Sequence, residues 1–112
     1  MSEEQQMVLV YIVCKDLDEA KSIGRHLLEK HLAACVNMFP IESAYWWEGA
    51  IVEDREAVLI AKTVADRCDA LERHVLALHS YSVPCILRLP VSGVEKGYLG
   101  WLVGALQVPP VA

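Results

Sequence analysis

The first apolar run of the chain starts at Met7, and Val8-Leu9-Val10-Tyr11-Ile12-Val13-Cys14 continues it without a polar break. Val and Ile suit a pleated backbone, so a strand is predicted over 7–14. The period then changes. Leu17, Ala20, Ile23, Leu27 and Leu28 recur at helical spacing. Asp16 and Asp18 offer N-caps and Glu19 adds early negative charge, so a helix is predicted up to about His31. Cys35 to Trp47 reads as a long second strand with Ile41, Ser43, Tyr45 and Trp47 on one face. Pro40 interrupts it, which predicts a bend or bulge in an edge strand. Glu48-Gly49 is a turn signal, and Ile51 to Lys62 follows as a third strand, polar at first and apolar from Ala57 to Ala61. Asp66 is placed to cap a second helix whose stripe is Cys68, Leu71, Val75 and Leu78. Ser82-Val83-Pro84 forces extended backbone before a fourth strand, Cys85 to Leu89. Glu95 to Leu106 predicts a short terminal helix, and Pro109-Pro110 ends the ordered chain.

The order βαββαβ with a C-terminal helix predicts an α+β, ferredoxin-like antiparallel sheet. The expected boundaries are a flexible N-terminal tail over 1–6, one domain over 7–107 and a C-terminal tail over 108–112.

The strand patterns carry a further implication. Two helices cover one face of such a sheet, and a wet second face demands alternation of apolar and polar residues. Neither Val8–Val13 nor Ala57–Ala61 alternates. Both faces of the sheet are therefore apolar, and a bare apolar face is an aggregation hazard. Closed homo-oligomerisation is the economical cover, with the hairpin around Glu48-Gly49 reaching a neighbour's sheet edge. The alternative is a monomer whose C-terminal segment folds under the sheet.

Composition narrows the function. The chain has 112 residues, of which 54% are hydrophobic and 22% charged. That suffices for one core without staples. No apolar run approaches the roughly 20 residues of a membrane-spanning helix, and Met1-Ser2-Glu3-Glu4-Gln5-Gln6 lacks the charge and apolar stretch of a secretory signal. A cytoplasmic protein without membrane contact is expected. The net charge of −5 and scattered Lys and Arg exclude a broad nucleic-acid footprint. An RNA-recognition domain shares the element order but stacks bases on aromatics of its first and third strands. Here the first strand has only Tyr11 and the third, from Glu56 to Lys62, has none. No Gly-rich phosphate loop, Gly-x-Ser-x-Gly elbow or nucleophile–base pair stands out, so no enzyme is expected. The four cysteines, Cys14, Cys35, Cys68 and Cys85, form no Cys-x-x-Cys pair and read as reduced, small hydrophobes. His26, His31, His74 and His79 never pair at i, i+4, which removes a helix-borne zinc site. Glu53, Asp54 and Glu56 read as a solvated hairpin. A polar and aromatic set remains: Tyr45-Trp46-Trp47, Lys62-Thr63, His79-Ser80-Tyr81, Tyr98 and Trp101. Large aromatics more often fill cores and interfaces than bind ligands, but Lys62 at the end of an apolar strand must reach solvent or meet an anion.

Taken together, these segments resemble the CutA divalent-cation-tolerance family. The resemblance rests on Ala33-Ala34-Cys35-Val36-Asn37, Ser43-Ala44-Tyr45-Trp46-Trp47-Glu48-Gly49, Ile60-Ala61-Lys62-Thr63, His79-Ser80-Tyr81-Ser82-Val83-Pro84 and Tyr98-Leu99-Gly100-Trp101-Leu102, and spans nearly the whole chain in order. It implies a ferredoxin-like homotrimer that binds a divalent cation, copper especially, and serves metal-ion tolerance. Thiolate and imidazole donors suit copper. The resemblance implies Cys14 and His79 as candidate ligands, with Cys35 as a third. It implies only weak binding, because Leu78, Ser80, Ser82 and Cys85 stand where members often carry His, Pro or Glu. It also implies an inter-subunit cleft holding Lys62, Tyr81, Tyr98 and Trp101. The alternative function, by fold-level analogy with trimeric PII signalling proteins, is a sensor or scaffold that binds a small anion or a protein partner in that cleft.

Overall fold

A computed structural model describes residues 6–107. The N-terminal tail up to Gln5 and the Pro109-Pro110 stop lie outside the described residues. Strand β1 spans Met7–Cys14, helix α1 Leu17–Glu29, β2 Cys35–Trp47 and β3 Ala50–Val64. A 3-10 turn, Ala65–Arg67, leads into α2 (Cys68–Leu78), followed by β4 (Ile86–Pro90) and α3 (Lys96–Ala105). The strands form one antiparallel sheet in the order β2-β3-β1-β4, the ferredoxin-like plan.

Local chemistry sets the element ends. Asp16 caps α1, its carboxylate accepting the Glu19 N–H at 2.8 Å. At the other end the chain turns at His31, whose φ of 55° is left-handed. The Leu32 N–H bonds the Leu27 carbonyl at 2.9 Å and the His31 N–H bonds that of Leu28 at 3.1 Å. This is a Schellman closure with His where glycine is usual, so α1 stops short of His31. Glu48 and Gly49, with φ of 50° and 80°, close the β2–β3 hairpin as a two-residue turn. Asp66 does not cap α2. It lies inside the 3-10 turn, and the α2 N-cap is Arg67 without a side-chain bond. β3 runs on to Val64 and β4 is shifted one residue, ending on Pro90. Pro90 is tolerated because it is the last residue of an edge strand.

The core follows the pleat. Val8, Val10, Ile12, Cys14, Ala57, Leu59 and Ala61 face α1 and α2, meeting Ile23, Leu27, Leu71 and Val75. α1 lies so close that a Cβ on Gly24 would come within 3.2 Å of Leu59 and Val36 side chains. Leu78, expected in the α2 stripe, is exposed instead. On the opposite face α3 lays Leu102 and Leu106 over Met7 and Val64, with Leu9 packed alongside. The chain therefore supplies part of a third layer itself, as the alternative of a C-terminal segment folded under the sheet expected. That layer is short. Phe39, Leu87 and Leu89, which pair with second-face residues Val58, Tyr11 and Leu9, remain 41%, 49% and 44% exposed.

The last β1–β3 pair is Cys14 with Ala57, so the hairpin from Ile41 to Glu56 projects past the rest of the sheet. Trp46 is 73% and Ile51 64% exposed there. The projection makes the molecule 50 Å long and gives a radius of gyration of 15.1 Å. A compact domain of this length should measure roughly 13 Å.

Candidate functional site

The C-terminal end of β1, the first turn of α1 and the loop after α2 converge. β1 delivers Cys14, which is buried on the helix-facing side. The cap of α1 fixes Glu19 in the first turn, and its carboxylate folds back to accept the Lys15 N–H at 2.9 Å. The other carboxylate oxygen accepts the Ser80 N–H at 2.9 Å, tying the α2–β4 loop to α1. That loop carries His79. One ligand atom each from Cys14, Glu19 and His79 lies within 4.8 Å of the others.

The ring of His79 is held in one tautomer. Its Nε2 sits 2.8 Å from the Val13 carbonyl, which can only accept, so Nε2 carries the proton. Its Nδ1 accepts the Tyr81 N–H at 3.0 Å. Glu19 Oε1 stands 4.0 Å from Nε2. Burial pushes the Cys14 thiol up to about 12, and the nearby carboxylates of Glu19, Asp16 and Glu56 add to the effect. For Glu19 burial alone would raise the carboxyl. The Lys15 and Ser80 donors and the His79 ring outweigh it and hold the carboxyl below its ordinary 4.5.

As a donor set, one thiol, one imidazole and one carboxylate fit a borderline divalent cation. Both His79 nitrogens and both Glu19 oxygens are already engaged by backbone groups, and Cys14 holds its proton. A cation entering here must expel the Cys14 proton and take Nε2 from the Val13 carbonyl. The residues fit a cation bound in competition with protons, not an open preformed cage. From sequence alone Glu19 reads only as helix-start charge. Its signal was the Asp16-x-x-Glu19 spacing of a reciprocal cap.

Cys35 lies elsewhere. It opens β2 opposite Lys62, whereas Cys14 is level with Ala57. Five residues of strand separate those levels, roughly 17 Å. Only Cys14 and Cys68 of the four free cysteines are buried, Cys35 is partly so and Cys85 is exposed, so the small-hydrophobe reading fails for Cys85.

The expected cleft residues occupy two ends of β3. At one end Lys62 Nζ lies 5.7 Å from the centre of the Tyr98 ring, a cation–π contact. The Tyr98 and Trp101 rings are 5.5 Å apart. At the other end the Tyr81 hydroxyl donates to Glu56 Oε2 at 2.7 Å. Burial and that carboxylate hold the Tyr81 phenol far above its ordinary range. Glu56, expected as part of a solvated hairpin, is nearly buried. Tyr11, Val13, Ile41, Tyr45, Trp47 and Cys85 line a groove of about 840 Å³ beside this pair. Within one chain Lys62 and Tyr81 do not meet.

No helix among the described residues is long and apolar enough to cross a membrane. The profile of the CutA1 divalent ion tolerance protein family matches residues 8–105. The divalent-cation tolerance protein CutA of Archaeoglobus fulgidus is 44% identical over 93 residues, covering 83% of this chain and 91% of the relative. That of Thermotoga maritima is 44% identical over 96 residues, covering 86% and 95%. Among solved structures, CutA1 from Oryza sativa superposes with a TM-score of 0.88 at 40% identity, covering 93% of this chain and 96% of its own. The structure of the A. fulgidus protein, described as periplasmic, has a TM-score of 0.88 at 40% identity over 90% and 99%. On this match and on the ferredoxin-like sheet that carries it, the chain belongs to the CutA1 divalent ion tolerance family.

Proposed function

We propose that the chain acts as a homotrimer that binds a divalent cation, copper in particular, weakly at Cys14, Glu19 and His79, and thereby serves metal-ion tolerance. The observation that carries this reading is the convergence of three chemically different donors within 4.8 Å. Binding at neutral pH is opposed by the thiol, which burial and the nearby carboxylates push up to about 12, so a cation must displace its proton. Each cation bound through Cys14 should release a proton. A binding protein rather than an enzyme is supported by the same groups. The Cys14 thiol is no ready nucleophile, and both His79 nitrogens are spent on backbone partners. A cytoplasmic setting suits four free thiols, one of them exposed.

The trimer is supported by the half-exposed Phe39, Leu87 and Leu89 and by the projecting hairpin. A two-stranded ribbon is marginal alone and gains by lying on a neighbour. Cys35 remains a proposed further ligand only in an assembly that brings it to the cluster of another copy.

The alternative is a PII-like sensor or scaffold. It draws on the Lys62–Tyr98–Trp101 group and the groove beside Tyr81, which a second copy would have to unite into one cleft. A bound anion at Lys62 would favour it.

The test is copper titration of the reduced protein, read by calorimetry and by thiolate-to-copper charge-transfer absorption, with light scattering for mass. Saturable binding with proton release, lost in Cys14→Ser/His79→Ala while the trimer persists, is expected. Charge-transfer absorption that is absent, or unchanged in that variant, sinks the site. A trimer that ignores copper moves the weight to the sensor reading.

A further inference from the structure

The outer face of the helical layer holds a side-chain pair that the cation cluster does not use. His26 projects from α1 and His74 from α2, with Nε2 of the first 2.8 Å from Nδ1 of the second. The ring centres are 5.0 Å apart and the planes are inclined by 39°. Both rings are half-buried. Among the described residues this contact is the one hydrogen bond each ring makes to protein. Their backbones are fixed by buried neighbours one turn away or adjacent: Ile23 and Leu27 beside His26, Leu71 and Val75 beside His74.

We propose that His26 and His74 form a second divalent-cation site, with water in the remaining positions. The juxtaposition carries the argument: two packed helices bring an imidazole nitrogen of each within 2.8 Å of the other, and neither ring has another side-chain partner among the described residues. Imidazole donors suit divalent copper, nickel and zinc.

In the metal-free pair one ring donates its proton and the other accepts. For a cation to bind, both rings turn so that the facing nitrogens point toward a common position, and the donor ring shifts its proton to its outward nitrogen. No thiol need ionise. The site is independent of the first: residues 19 and 26 of α1 lie about 10 Å apart along the helix axis. It also sits on the layer opposite Phe39, Leu87 and Leu89, so assembly through that apolar face leaves it open.

The probe is Ni(II), added to the full-length reduced protein below one equivalent and followed by NMR of the imidazole C–H signals. Selective paramagnetic broadening of both His26 and His74 is expected, with His31 less affected. Calorimetric titration should show Ni(II) affinity weakened at least about tenfold in His26→Gln and in His74→Gln, the lower end of what even an outer-shell partner contributes. The same event should survive Cys14→Ser/His79→Ala, which separates this proposal from the cluster reading. Broadening confined to His79, or unchanged Ni(II) affinity in the His26→Gln/His74→Gln variant, overturns it. Because the NMR measurement uses the native chain, it decides the matter even if a variant folds poorly.

Discussion

Replacing Glu19 by Ala should destabilise the protein more than any other single truncation of an acidic side chain near the site. The Glu19 carboxylate accepts one N–H from Lys15 and one from Ser80, each at 2.9 Å, and its side chain is only 9% exposed. Bonds to a charged acceptor contribute about 1.5–3 kcal/mol each. Taking the low end for both gives about 3 kcal/mol at pH 7, plus the cost of two donors left unpaired. With about 2.1 cal/mol/K of unfolding entropy per residue, that corresponds to a fall in Tm of roughly 13 °C at fixed protein concentration. Glu19→Gln should fall between, because its amide has one acceptor oxygen facing two donors. The pH dependence supplies a sharper check. The native carboxyl is held below its ordinary 4.5, so its contribution is fully present above that value. It is lost as pH falls through the native pKa. Guanidinium unfolding at pH 7 and again near pH 3 should therefore show the wild-type advantage over Glu19→Ala shrinking in acid. An advantage under 1 kcal/mol at pH 7, or one that is the same in acid, refutes the claim that this carboxylate ties α1 to the His79 loop.

Two further expectations concern access and assembly. In the native chain a thiol reagent should label exposed Cys85 well before Cys14, whose thiol is buried and pushed up to about 12. Peptide mapping after short exposure reads this, and equal rates would contradict the burial of Cys14. If the proposed trimer forms through the projecting hairpin, Trp47→Ala there, where the side chain is 58% exposed, should leave the far-ultraviolet spectrum intact but weaken assembly. Sedimentation at falling concentration measures it, and unchanged assembly would remove the hairpin from the proposed interface.

The long strands, the Glu48-Gly49 turn and the two amphipathic helices were legible because each rests on local spacing. A period of two or of 3.6, a cap or a turn residue acts within a few positions. Local reasoning failed where backbone geometry outranked propensity. Asp66 is a good cap by type, yet the chain enters α2 through a 3-10 turn that leaves it inside. Glu56 belongs by sequence to an acidic, solvated stretch. Register places it opposite Ile41 and beside the Tyr81 hydroxyl, where its neighbours differ from those of Glu53.

Sequence by itself determined the element order, the apolar character of both sheet faces and the family resemblance, because these depend on residue type and spacing along the chain. Only the tertiary structure decided which donors meet. Val13, next to Cys14, and His79 are 66 positions apart yet in contact, and Glu19 joins them through a loop tie no periodicity reports. His26 and His74 made no i, i+4 pair along either helix, yet they touch across two. Contacts between elements depend on register, crossing and which helix lies beside which. Those are settled when the two apolar faces of a sheet find their cover, and a one-dimensional pattern does not carry them.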